Sequence, residues 1–283
     1  MRRIFLVLLL TAMTVSGYSQ NPIKETREIF DNFGSKTTKV VVPSTSLADL
    51  MLRDAVERGW RISPFEFCTM EEYEKIRHNP DYFFLLRVEG KFRKELEPKI
   101  EYLTLIKGGP EVKRGLYSSK DMITLPLQRV DSDKTTHLHL LPVYIDVIQN
   151  HIYEVQSDLT LAFKGNTIYS DRVDELKDKE LLFPMEYLNY SVSENRFLSQ
   201  FLNNIKIVDE SDVERAFEES RENTVVPLLI TPGDESRGSY CYKILVGTDD
   251  HRLYFFRRHK ISRWISSGFT REDIRKISTP FQF

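Results

Sequence analysis

Cysteine is nearly absent. Cys68 and Cys241 are the only two in 283 residues, and no C-x-x-C pair occurs, which excludes a disulfide-stapled scaffold and a zinc ribbon. An oxidising compartment permits a bridge between them. Cys68 follows an apolar strand and Cys241 sits inside one, so the plainer reading is two buried free thiols. Glycine and proline number 12 each, too few for a collagen-like or linker-dominated chain. Charge of one sign is lacking too: 40 basic residues meet 42 acidic ones for a formal −2, which gives no general nucleic-acid signature. No apolar run reaches the roughly 20 residues that a membrane-spanning helix needs. Phosphate-loop, dinucleotide-binding, nucleophile-elbow, H-E-x-x-H and calcium-loop patterns are missing, so no cofactor is implied. No internal repeat or low-complexity tract is visible in the sequence. What is there is globular: 41% hydrophobic and 12% aromatic residues exclude a mainly disordered chain.

Met1, Arg2 and Arg3 form a short positive segment, and Ile4 to Val15 form an apolar run of twelve residues. Gly17 and Ser19 then occupy the minus-three and minus-one positions of a cleavage site before Gln20, so residues 1–19 read as a secretory signal peptide. Arg2-Arg3-Ile4-Phe5-Leu6 resembles the core of a twin-arginine signal, but the tiny leading segment and the leucine-rich run favour the general secretory route. Cys68 lies far beyond the cleavage point, so the protein is not expected to be a lipoprotein. The mature chain is expected in the periplasm or outside the cell of a bacterium, since the dense cysteine pattern of many secreted animal proteins is missing. Cleavage removes two arginines and takes the net charge from −2 to −4. That total hides an asymmetry: residues 251–283 carry +6 and residues 21–250 carry −10, of which −7 falls within 171–222. The basic tail either meets an anionic partner or docks on the acidic segment of its own chain.

Along the chain, residues 20–36 are polar and aperiodic and read as a flexible lead-in. Lys39 to Val42 reads as a strand. Ser46 with Asp49 makes a capping box for a helix over 47–58 whose apolar face is Leu47, Leu50, Met51, Ala55 and Val56, stopped by Gly59. Trp60 to Phe67 alternates with a phase break at Pro64, as an edge strand or a bulge would, Thr69 with Glu72 caps a second helix, and Tyr82 to Leu86 is a strand covered on both faces. The alternation of strands and helices predicts parallel pairing with right-handed crossovers. Ile100 to Ile106 and Met122 to Leu127 are two further strands, with antiparallel pairing expected. The apolar period of Leu141, Tyr144, Ile145, Ile148, Ile152, Val155 and Leu159 predicts a long helix with Pro142 in its first turn. After residue 170 the composition turns acidic. Ser191 with Glu194 caps a helix packed through Phe197, Leu198, Phe201 and Leu202, and Ser211 with Glu214 caps a short one. Val225 to Ile230, Ser239 to Val246 and Arg252 to Phe256 read as strands, and Thr270 with Asp273 caps a last helix stapled by Phe269 and Ile274. The fold class is therefore α+β: a mixed α/β domain over 37–170 with a small sheet flanked by helices, then over 171–283 a helical segment, a smaller antiparallel three-strand unit and a C-terminal helix. The element order over 37–165 is similar, at fold level only, to small α/β domains of bacterial envelope-assembly proteins, a likeness that carries no site residues.

Three groups of residues carry candidate chemistry. Arg257, Arg258, His259, Lys260, Arg263 and Trp264 interleave charge with aromatic surface, as an anion-binding or partner-binding surface requires, and the helix start at Thr270 lies close by in sequence. As alternate strand residues His137 and His139 would share a face on which two imidazoles can grip one cation, with Asp131, Asp133 or His151 as a third ligand; the plainer reading is two partly exposed histidines in the lead-in to the long helix. Asp249-Asp250-His251 places two carboxylates and an imidazole in one turn, although turns collect Asp for backbone reasons alone. The preferred function is an exported, envelope-associated, non-catalytic binding or assembly protein. Its basic surface would engage an envelope protein or an anionic envelope component, with no nucleic acid involved and no oligomeric state specified. The alternative is a periplasmic metal-assisted hydrolase using His137 and His139.

Overall fold

The computed structural model describes residues 22–90, 99–110, 112, 120–130, 137–192, 204–232 and 237–278. The expected signal peptide and its cleavage site lie outside them, as do Asp131, Asp133 and most of the helix expected behind Ser191. The fold is α+β.

The first sheet grows from short strands separated by capped helices. β1 (Thr37–Val41), β2 (Phe65–Cys68) and β3 (Tyr82–Gly90) pair in parallel in the order β2-β1-β3, linked by helices α2 (Leu47–Gly59) and α3 (Met70–Ile76). β4 (Ile100–Lys107) and β5 (Lys120–Arg129) then extend it in antiparallel fashion. Both faces of β3 are covered, as its unbroken apolar run predicts: Phe83 and Leu85 join the cluster of α2 and α4 (Leu141–Ser157), while Phe84 and Leu86 pack with Tyr73 of α3.

The second sheet repeats that plan. β6 (Glu180–Pro184) pairs in parallel with β7 (Ile205–Val208) on one side and with β8 (Thr224–Ile230) on the other. β9 (Tyr240–Gly247) and β10 (Leu253–Lys260) add antiparallel strands, so the order β7-β6-β8-β9-β10 matches β2-β1-β3-β4-β5 in position and direction. Helices α6 (Glu210–Glu218) and α7 (Arg271–Ile277) occupy the places of α3 and α4. The chain thus duplicates a topology without a visible repeat in its sequence. A five-residue helix, α5 (Thr160–Lys164), and a 3-10 segment over Gly165–Asp171 connect the halves.

One hydrophobic cluster runs across the connection. It holds Leu103, Leu105 and Leu125 of the first sheet, the apolar face of α4, and Leu228, Ile230, Ile244 and Val246 of the second. The change of composition near residue 170 therefore marks a junction inside a shared core. α4 is wrapped on its polar side as well: Asn150 donates to the carbonyls of Asp250 and His251 at 3.0 and 3.1 Å, and Glu154 accepts from Arg172 and Arg252.

Several elements differ from the sequence reading, each because tertiary contacts override a local pattern. The segment expected to be a flexible lead-in is helical over 22–31 (α1), and Phe30 and Phe33 are buried at 2% and 1% exposure. In α2 the buried residues are Asp49, Leu52, Ala55 and Val56, while Leu47 and Leu50 lie in solvent. Asp49 turns the helix: its carboxylate takes Arg87 at 2.5 Å and the Ser44 hydroxyl at 2.5 Å, so Ser46 caps the Asp49 amide without a reciprocal bond. The N-cap position of α6 is Asp209, two residues before the expected Ser211 cap. The C-terminal half has five strands in place of three, because β6 and β7 were not recognisable as strands. The boxes at Thr69 with Glu72 and at Thr270 with Asp273 form fully, and Phe269 and Ile274 are both 0% exposed, as the staple requires.

Candidate functional site

The basic cluster is divided by the alternation of β10. Arg257 points toward α7, where it pairs with Glu272 at 2.5 Å and Asp273 at 3.2 Å. Asp273 also holds Lys243 at 2.5 Å, and both members of that pair are almost fully buried. Burial alone would raise the Asp273 carboxyl, but Lys243 and the Thr270 cap hold it below the usual carboxylate range. His259 lies on the same side, its Nε2 donating to the Ser266 carbonyl at 2.8 Å, while its buried Nδ1 has no partner. These groups line a cavity of about 290 Å³ together with Trp264 and Thr270.

Arg258 and Lys260 point to the opposite face. Their cationic groups sit over the Tyr240 ring at 4.6 and 5.6 Å. Arg263 stacks at 5.2 Å from the ring of Trp264, which is 84% exposed, and Ile265 beside it is 44% exposed. This apolar tip is an ordered turn: the Ser262 hydroxyl accepts the amides of Trp264 and Ile265, and Ser262 donates to the Ile265 carbonyl at 2.9 Å. Among the described residues, Arg258, Lys260 and Arg263 have no carboxylate within ion-pair distance. Other basic residues of the tail do meet the acidic segment, Arg252 at Glu175 and Lys276 at Asp171, each at 3.2 Å. Docking on the acidic segment thus accounts for Arg252 and Lys276, and leaves Arg258, Lys260 and Arg263 outside it.

The histidine pair is not on a strand. His137 precedes a 3-10 turn over Leu138–Leu140 that contains His139, so the alternation argument for a shared face fails. Burial pushes the His137 imidazole down to about 4, with His139 adding to the effect. His151 is buried within α4, bonded to the Tyr169 hydroxyl at 2.9 Å and the Met122 carbonyl at 3.1 Å, and does not join them. No group of three or more His, Cys, Asp or Glu among the described residues is placed to hold a metal ion. The Asp249-Asp250-His251 turn is occupied structurally: Asp250 accepts the Arg252 amide and the Tyr254 hydroxyl, and His251 pairs with Asp146 at 2.8 Å, docking the turn on α4. Cys68 and Cys241 are buried free thiols in different sheets, and burial pushes the Cys68 thiol up to about 11.

Sequence reasoning missed a cleft of about 460 Å³ at the junction of the halves. Its walls come from β3, β4 and β5 on one side and β9 and β10 on the other, with α5 and the 3-10 segment along its rim. Tyr102 and Tyr242 bridge the two walls, hydroxyl to hydroxyl, at 3.0 Å. Nothing local in the sequence signals that contact, which joins residues 140 positions apart. No family model, curated protein or solved structure matches the chain.

Proposed function

We propose that the chain is an exported, non-catalytic binding protein that engages an anionic component of the bacterial envelope through Arg258, Lys260, Arg263 and Trp264. The observation that carries this reading is the ordered turn 262–265. It holds an 84%-exposed tryptophan against Arg263, just past a strand end that carries Arg258 and Lys260, and no described carboxylate neutralises these three cations. Holding a large apolar ring in water is unfavourable, and an amphipathic ring flanked by arginine suits a polar–apolar boundary such as a phospholipid headgroup layer. Arg257, grouped with these residues by sequence, is engaged by α7 and supports the surface from behind. No helix among the described residues is long and apolar enough to cross a membrane, so contact would be peripheral.

The test uses protein recovered from the periplasmic fraction, expected to begin at Gln20, mixed with vesicles of phosphatidylglycerol or of phosphatidylcholine. The chain has two tryptophans and Trp60 is buried at 6% exposure, so a change in emission reports on Trp264. The expected result is a blue shift and co-sedimentation with phosphatidylglycerol alone, weakened at least tenfold by raising salt from 0.05 to about 0.5 M and by the triple change of Arg258, Lys260 and Arg263 to Gln. Binding that ignores salt and lipid charge, or no binding, removes this surface from the account.

A further inference from the structure

We infer that the cleft between the two sheets is a second binding site, for a small amphipathic molecule carrying one negative charge. Its volume of about 460 Å³ falls in the range of roughly 300–1,000 Å³ typical of small-molecule pockets. Such sites favour junctions between structural units, and this one lies where the duplicated halves meet.

The lining selects the chemistry. Met122, Ile123, Leu161 and Phe256 supply an apolar interior, and among the described residues Lys164 and Arg258 supply two cations against one carboxylate, that of Asp121. That carboxylate already accepts the Thr124 hydroxyl at 3.0 Å. Charge and apolar surface therefore leave the cleft complementary to a molecule with an anionic head and a hydrocarbon or aromatic body.

The site is also built and held open. The Tyr102–Tyr242 bridge fixes the spacing of the walls, and the Asn166 amide donates to the Thr124 carbonyl at 2.8 Å, tying the rim to β5. Gly90 allows the Tyr102 ring to lie against β3, since a Cβ there would meet the ring at 2.3 Å. Rigid walls of this kind reduce the ordering cost of binding.

Decanoate, decanol and decyltrimethylammonium separate the contributions, titrated by calorimetry into the delipidated mature protein. One decanoate per chain is expected, with decanol at least tenfold weaker and the cation not bound. Lys164→Gln should weaken decanoate about tenfold, and Ala162→Trp, which fills the cleft, should abolish its binding. Trp264→Ala should leave it unchanged, so failure here and failure of the membrane-facing reading are distinguishable. Absence of saturable decanoate binding by the wild-type protein overturns the inference. So does equal binding of all three probes, or undiminished binding in both Lys164→Gln and Ala162→Trp.

Discussion

His151 lies at the centre of the first half as a neutral ring. The Met122 carbonyl can only accept, so Nε2 carries the proton and Nδ1 accepts from the Tyr169 hydroxyl. Burial pushes the imidazole down to about 4 despite the bond to Met122, whereas an unfolded histidine titrates near 6.5. Between these values the unfolded chain binds more protons, so this residue's contribution is complete above pH 6.5 and is lost as pH falls through 4. It amounts to about 3 kcal/mol at neutral pH. His137 acts in the same direction and window. The urea midpoint is therefore expected to fall between pH 6.5 and 4, and His151→Gln should flatten that slope while costing roughly 1–3 kcal/mol at pH 7. An unchanged slope in the variant would show that the ring titrates freely. At this scale the sequence was only half legible. It marked Arg257 and Arg258 as one cluster, but strand alternation sends neighbouring side chains to opposite faces, so one ended in an ion pair and the other on the cleft.

Among the elements, two helix starts share a device. Asp49 and Asp273 each stand at the third position of a helix, each buried, and each pinned by a cation from the adjacent sheet, Arg87 or Lys243. A cap fixes where the helix begins, and the ion pair fixes how it is rotated on the sheet. Removing Lys243 leaves the buried Asp273 carboxylate with only Arg257, at 3.2 Å, and the Thr270 cap as partners, so Lys243→Met is expected to cost up to about 3 kcal/mol, the low end for a broken buried pair. Adding Asp273→Asn to it should restore a substantial part of the loss, which urea denaturation of the single and double variants can measure. A double variant no more stable than the single would show that the cap, and not the charge balance, dominates. Capping boxes were readable because their atoms lie within four residues of one another. The parallel strands Glu180–Pro184 and Ile205–Val208 were not, being short and paired with segments far along the chain. The helix over 22–31 escaped notice because its few buried residues, such as Ile29 and Phe30, have meaning only against the core they enter.

Across the whole molecule, the duplicated topology does not produce two independent bodies. Leu228, Ile230, Ile244 and Val246 of the second sheet are buried in the same cluster as α4 and the first sheet. Uncovering these four side chains would cost on the order of 10 kcal/mol, comparable to the entire stability of an ordinary domain, about 5–15 kcal/mol. The mature protein should therefore unfold in one transition, with the fluorescence of Trp60 and far-ultraviolet circular dichroism coincident in urea. A fragment starting at Arg172 should show no cooperative transition of its own. Two separated transitions, or a fragment that folds, would contradict a shared core. The α+β class, the three parallel strands that open the first sheet and the antiparallel strands of the C-terminal unit could be read from periodicity and turns. The union of the halves could not, because it depends on contacts such as Tyr102 with Tyr242 that no local pattern encodes.

The connector over Gly165–Asp171 has one more effect. Asn166 donates to the Thr124 carbonyl of β5 and the Ser170 hydroxyl donates to the Phe256 carbonyl of β10, so a single segment caps the last strand of both sheets. That leaves β2 and β7 as the outer strands at the far margins, each four residues long. At about 3.3 Å per residue a margin of this size spans little more than one turn of a partner's ladder. Glu66 and Lys206 interrupt the two margins with charge. The duplicated sheets thus offer other chains very little backbone on which to zip, and protection against fibrous self-association comes with the way the halves are joined.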